Sequence, residues 1–257
     1  MIPSIDIEEL RDKVKTMYQQ VAEDPKAEFH FEMGRALAER LGYLPTDLDR
    51  IPVEAVESFA GVGYYFDLAA IREGQQVLDL GSGSGMDSFL AARKAGPSGH
   101  VIGIDMTEQQ LQKAEQLRRA SGFNNLSFVQ GYMEELPFES QRFDVVISNG
   151  VINLAADKAT VFQEIARVLK PGGRMAIADI VTERQLTEKI VCDTDLWAAC
   201  IGGAAQQDSY RKLIEAADLE VASTKENSQY RFLSKSAQNA SEKFGVKSVS
   251  LAATKVR

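Results

Sequence analysis

The string VLDLGSGSG at residues 77–85 constrains this chain more than any other. An apolar run meets glycines at alternate positions, Gly81, Gly83 and Gly85, and a helix-like stretch starts near Met86 or Asp87. A short apolar run bounded by glycine reads as a buried strand. Glycine in the turn permits positive φ and lets a ligand approach the backbone closely. A buried strand that turns straight into a helix opens an α/β sheet, and such sheets bind ligands at the carboxyl ends of their strands.

The same alternation continues downstream. Candidate strands lie at 76–80, 100–104, 126–130, 143–147 and 174–179, with helices around 86–95, 107–121 and 157–169. This order predicts a parallel sheet with right-handed crossovers. LKPGG at 169–173 predicts a turn between a helix and the next strand. A helix over 207–217, strands at 219–224 and 246–253 and a helix near 235–243 complete the pattern, the two strands forming a closing antiparallel pair. Upstream, Leu10, Val14, Met17 and Val21 form one helical stripe over 5–21, and Phe29, Met33, Leu37 and Leu41 another over 27–41. Pro45 and Pro52 bracket a loop. The expected division is an N-terminal helical lid over 1–57 and a main domain over 58–257, with 182–217 as a substrate-side insertion.

Composition excludes several classes. Hydrophobic residues make up 44% and charged residues 26% of the 257, the balance of a globular protein. Lys and Arg number 29 against 37 Asp and Glu, a net charge of −8. That charge leaves no basic stripe for nucleic acid and no attraction to an anionic membrane surface. No run approaches 18 apolar residues, and the acidic start MIPSIDIEEL does not resemble a secretory leader, so a cytoplasmic location is expected. Two cysteines without a CxxC pair, Cys192 and Cys200, and two histidines, His30 and His100, argue against a disulfide framework and against an all-protein zinc site.

The glycine spacing discriminates between ligands. Dinucleotide sites use G-x-G-x-x-G, with helix amides facing a pyrophosphate. Here the spacing is G-x-G-x-G, and Met86 stands where the third dinucleotide glycine would be. Asp79, just before the turn, gives nothing to an anion but suits a cation. S-adenosyl-L-methionine carries a sulfonium and an ammonium, and the acid fits it. Gly81, Ser82 and Gly83 would then present backbone to the ligand; the alternative is a tight turn with no ligand role. Asp105 ends VIGID, 24 residues after Gly81, where a carboxylate can accept both hydroxyls of a ribose or simply cap the next helix. Met106 can lie against an adenine face. Met133 and Glu134, in QGYMEELPF, follow the third strand, and Asn149, in SNGVINL, ends the fourth. Each is weak alone; together four successive strand tips carry ligand-compatible residues.

With these residues the chain resembles the class I S-adenosylmethionine-dependent methyltransferases: DLGSGSG, GIDM, MEELPF, FDVVISN and VLKPGGRM follow that family's order over roughly residues 70–180. The resemblance implies a Rossmann-like α/β fold with a seven-stranded, mostly parallel sheet and helices on both faces. It also implies S-adenosyl-L-methionine as cofactor and a small molecule as methyl acceptor. VLDLGSGSGMDSFLAA, VIGIDMT, SNGVINLAADK and LWAACIGGA further resemble the arsenite methyltransferases, a likeness that spans SFAGVGYYFDLAAI and reaches about residue 217. That family holds trivalent arsenic on three cysteine thiolates. Here the first position is Val62, the second matches Cys200, and no cysteine follows it. A soft centre needs its thiolates, so an organic acceptor is expected. The alternatives are arsenite methylation on a reduced thiol set and cofactor binding without catalysis.

On the substrate side, the N-terminal helices, residues 58–66 and residues 192–210 are expected to enclose the acceptor. Tyr64 and Tyr65 can cap the methyl donor, and Trp197 can line a flat pocket, or each can simply fill the core. Methyl transfer from a sulfonium is an in-line displacement that needs alignment and exclusion of water more than a protein nucleophile. Candidates for a catalytic role are His30, Tyr65 and Asn149; Tyr18, Asp195 and Tyr210 remain open as proton acceptors.

Overall fold

The apolar runs become strands of one sheet in the computed structural model, which describes residues 7–24, 27, 29, 31–191, 197 and 201–256. The strands are β1 (Gln76–Leu80), β2 (His100–Asp105), β3 (Leu126–Gln130), β4 (Phe143–Asn149), β5 (Leu169–Thr182), β6 (Ala205–Gln206), β7 (Leu219–Glu226) and β8 (Lys247–Lys255). Seven lie in the order β3-β2-β1-β4-β5-β8-β7, and the two-residue β6 pairs with the far end of β5. All pairs are parallel except those of β8, which runs antiparallel to β5 and β7. The chain runs outward from β1 to β3 and then returns to place β4 on the other side of β1. That reversal opens a crevice between the loops after β1 and β4, where ligands bind in sheets of this kind.

Both faces of the sheet are covered. Helix α6 (Met86–Ala95) buries Phe89, Leu90 and Ala91 on one face, and α7 (Glu108–Ala120) packs beside it. Helix α8 (Lys158–Val168) buries Val161, Phe162 and Ile165 on the other. The helix Gln207–Ala216, inside the stretch expected as an insertion, buries Tyr210 and Ile214 there as the crossover into β7. The first helix, α1 (Ile7–Glu23), lies across α7. Its Tyr18 carbonyl accepts a hydrogen bond from Gln110 at 2.8 Å, and its Ala22 carbonyl one from Lys113 at 3.2 Å.

The expected pattern needed correction in three places. The helix expected over 27–41 is limited to α2 (Gly34–Leu41). Met33 is extended and Gly34 has a φ of +79°, a turn that breaks the helical run, while the Gly34 amide donates to the Phe59 carbonyl. Phe29 therefore leaves the stripe and stacks on Phe31, which stacks on Tyr18. The prolines open two short helices rather than bracket a loop: Pro45 is the first residue of α3 (Pro45–Leu48), and Pro52 caps α4 (Val53–Glu57). Proline suits such positions because the first helical amides have no partner within the helix. Finally, α8 ends at Val168 and β5 begins at once, with Leu169 paired to Phe143; the Pro-Gly-Gly turn is a register shift inside the strand.

Phe162 is fully buried and meets Tyr210 edge to face at 5.2 Å. Phe162→Ala is expected to cost about 3–5 kcal/mol of stability through lost burial and the cavity left behind, seen as a lowered urea midpoint with an unchanged slope.

Candidate functional site

A cavity of about 1200 Å³, counting its open mouth, lies at the carboxyl ends of β1, β2 and β4. Asp79, Gly81, Ser82, Gly83, Asp105, Met106, Met133, Glu134 and Asn149 all line it. Helix α1 closes one side with Leu10, Arg11, Val14 and Tyr18, and Ala55, Phe59, Leu154 and Ala155 add further apolar wall.

The glycine turn is shaped by necessity at two positions. Gly81 has a φ of +66°, and a Cβ there would lie 2.5 Å from the Val151 side chain. Gly85 has a φ of +94°, and its Cβ would meet the Phe128 ring at 2.8 Å. The amides of Gly81 and Ser82 both donate to the Ile104 carbonyl at the end of β2. Asp105 completes the link: one carboxylate oxygen accepts from the Gly83 amide at 2.9 Å, the other from the Thr107 amide at 2.8 Å. Burial pushes the Asp105 carboxyl up, and these amides pull it part of the way back. The Ser82 hydroxyl oxygen is buried without a hydrogen-bond partner among the described residues.

Beneath the turn are two more buried carboxylates. Asp79 accepts from the Ser88 hydroxyl at 2.6 Å. Burial, reinforced by Asp87, holds its carboxyl well above the ordinary range. Asp87, on the first turn of α6, accepts from the Tyr65 hydroxyl at 2.6 Å, the Tyr43 hydroxyl at 2.8 Å and the Asn149 amide at 3.0 Å. Burial raises its carboxyl, while Tyr65, Asn149 and Tyr43 lower it.

These contacts revise the candidate catalytic residues. Tyr65 is fully buried, stacks on Phe66 and is spent on Asp87; it does not line the cavity. Its apolar surroundings on α5 (Phe66–Ala69) drew the ring into the core, where its hydroxyl needed an acceptor. Asn149 does line the cavity, but its whole amide is engaged. Its oxygen accepts from the amides of Val62 and Gly63 at 2.8 and 3.3 Å, and its nitrogen donates to Tyr43, Gly63 and Asp87. Asn149 is therefore a fixed piece of wall, not a proton acceptor. His30, Cys192, Asp195 and Cys200 lie outside the described residues. Trp197 is buried away from the cavity with its ring 5.0 Å from the Lys158 ammonium, and Tyr210 donates to Asp179 at 2.6 Å in the core. Of the open proton acceptors, Tyr18 alone is a described residue that lines the cavity.

Three residues escaped the sequence reading. Asp87 was visible only as a helix-opening acid, a role that explains most such residues. Tyr43 stood in no motif. Arg11 sits on α1, where it pairs with Glu134 at 3.1 Å and lies over the Tyr132 ring at 5.2 Å, fastening the helix to the loop after β3. Among the described residues, the charged groups lining the cavity are Asp79, Asp87, Asp105, Glu134 and Arg11, and the one cation is paired. A cavity so lined fits a cationic ligand with hydroxyls to place, and S-adenosyl-L-methionine meets both terms.

Comparison with known proteins gives the same direction. Residues 71–218 match the family model described as a methyltransferase domain. An arsenite methyltransferase of Halobacterium salinarum is 39% identical over 183 residues, 71% of this chain and 46% of that protein. The demethylmenaquinone methyltransferase of Lactococcus lactis is 42% identical over 102 residues, 40% of each chain. Among solved structures, an arsenic (III) S-adenosylmethionine methyltransferase from Chlamydomonas reinhardtii superposes with a TM-score of 0.65 at 31% identity, over 88% of this chain and 75% of that one. The chain spans less than half the length of the curated arsenite methyltransferases it matches.

The Tyr65–Asp87 bond allows a direct test of the network. Tyr65→Phe is expected to cost about 1.5–3 kcal/mol of stability, the range for a buried hydrogen bond to a charged group, measured by urea unfolding.

Proposed function

Because the chain belongs to the S-adenosylmethionine-dependent methyltransferases, in the subgroup resembling the arsenite methyltransferases, we propose that it moves the methyl group of S-adenosyl-L-methionine to a small organic acceptor. The carrying observation is the cavity itself: a glycine turn and buried acids at the β1/β4 reversal, continuous with an apolar wall. When bound, the cofactor supplies an electrophilic methyl on a cationic sulfur. In this reading Asp105 receives the ribose hydroxyls on the lone pairs its amide bonds leave free. Gly81 and Gly83 present the backbone, and the Ser82 hydroxyl finds its missing partner. Met106, Met133 and Glu134 border the adenine, and Asp79 faces the cationic end. Helix α1 is the lid that holds water out.

The organic acceptor is supported by the position where the arsenite enzymes would carry their first thiolate. Val62 is 1% exposed and does not line the cavity. Its carbonyl accepts from Ser248 at 2.6 Å and its amide donates to Asn149 at 2.8 Å, so a side chain at this position is packed into the wall against Gly150. The apolar residues Leu10, Val14, Ala55, Phe59 and Leu154 would receive an uncharged acceptor, and displacement at carbon needs from the protein only alignment and dryness.

Three outcomes are expected. By calorimetry the protein binds S-adenosyl-L-methionine and S-adenosylhomocysteine but not NAD; micromolar NAD binding without the others would reverse the reading. Asp105→Ala weakens cofactor binding by about 30- to 1000-fold, or roughly 2–4 kcal/mol, and Asp105→Asn by less. Incubation with arsenite, glutathione and S-adenosyl-L-methionine is expected to yield little methylated arsenic. Rapid formation of mono- or dimethylarsenic would favour a reduced thiol set instead.

A further inference from the structure

We propose that Asp87 shifts the affinity of this cavity toward a positively charged sulfur relative to a neutral one. The proposal rests on S-adenosyl-L-methionine being the ligand. Its basis is the placement of Asp87, where α6, the end of β4 and the segment 61–65 meet at the cavity. Its partners, Tyr43, Tyr65 and Asn149, all donate to it and none brings a positive charge. Three donors to one carboxylate favour its ionised form, as does its place on the first turn of α6. Burial works against that form; once ionised, the carboxylate is a negative charge with no cation among its hydrogen-bond partners. A charge in that position, screened little by solvent, is stabilised by a cation that enters the cavity.

S-adenosyl-L-methionine and S-adenosylhomocysteine share adenine, ribose, ammonium and carboxylate. They differ in one methyl and one charge, so the ratio of their affinities cancels every other contact. Asp105 and the glycine turn act on both ligands alike. Asp87 acts on the difference.

The ionisable groups around Asp87 are Asp79 from β1, Tyr43 between α2 and α3, and Tyr64 and Tyr65 from the segment before α5. The three tyrosines are raised above their ordinary range, chiefly by burial, and stay neutral through the acid range. The carboxyls of Asp79 and Asp87 are both raised by burial, so each gains its proton above the usual carboxylate range as pH falls. Protonation removes the counter-charge and weakens the cationic ligand selectively.

The test is calorimetry on the full chain with three ligands: S-adenosyl-L-methionine, S-adenosylhomocysteine, and sinefungin, whose amine is cationic where the sulfonium would be. Asp87→Asn keeps the shape and removes the charge. It is expected to weaken S-adenosyl-L-methionine and sinefungin about tenfold, a change of roughly 1.4 kcal/mol, and S-adenosylhomocysteine by less than about twofold. Equal losses for all three ligands, or none, would overturn the proposal and leave Asp87 a structural tie. Should the variant not fold, the wild-type protein answers on its own. The ratio of its affinities for S-adenosyl-L-methionine and S-adenosylhomocysteine is expected to shrink as pH falls and the raised carboxyls take up their protons, and a ratio independent of pH would overturn the proposal. If the wild-type protein binds neither ligand, the cofactor reading fails first and this inference with it.

Discussion

A carboxylate in a packed interior must be met by donors, and the way Asp87 is met organises much of this molecule. Its partners come from the turn after α2, the segment before α5 and the end of β4, while its own backbone starts α6. Four segments far apart in sequence are thereby fixed to one another beside the cavity. Tyr43 extends the grip into the N-terminal region, packing edge-on against Phe59 and Tyr64. The short helices before residue 58 are thus joined to the sheet by the same side chains that surround a charge. Leaving that charge unmatched would cost several kcal/mol, so the N-terminal region and the sheet are expected to form as one cooperative unit.

The N-terminal side is held on a second line as well. Gln110 accepts from Ser84 of the glycine turn and donates to the Tyr18 carbonyl of α1. Lys113 bridges the Ala22 carbonyl and the Ser58 hydroxyl. The glycine turn and α1 therefore share one residue of α7. The Arg11–Glu134 pair at the mouth is partly exposed, and such pairs contribute at most about 1 kcal/mol. It can open without disturbing the buried contacts. Helix α1 is thus tied to α7 by buried contacts toward its C-terminal end and to the loop after β3 by the partly exposed pair at Arg11.

What was legible in the sequence follows from how local each signal is. The strands β1, β2 and β3 and the helices α6 and α8 announce themselves by apolar period and by glycine, and the observed bounds differ from the expected ones by at most one residue at either end. The nine residues proposed for the cofactor all line the cavity because each lies at or just beyond a strand tip, a position that strand order defines. The second N-terminal helix failed because a period of apolar residues carries no information about Gly34, whose turn is set by contact with Phe59. Tyr65 was left open between cavity and core for a related reason. Whether an aromatic faces a cavity or the core depends on the element behind it, and Asp87, its partner, is 22 residues away.

The choice of acceptor turns on the same distinction between local and distant determinants. Val62 occupies a wall that Ser248, Ser250 and Asn149 hold by hydrogen bonds to the backbone of residues 62–64. The backbone path there is fixed by polar side chains from β4 and β8, not by what residue 62 carries. A thiol could replace valine at 62 without altering the path, and a valine could replace a thiol just as easily. The path of this wall is consequently independent of whether residue 62 carries a thiol. High identity around the glycine turn therefore identifies the reaction type and says little about the molecule that receives the methyl group.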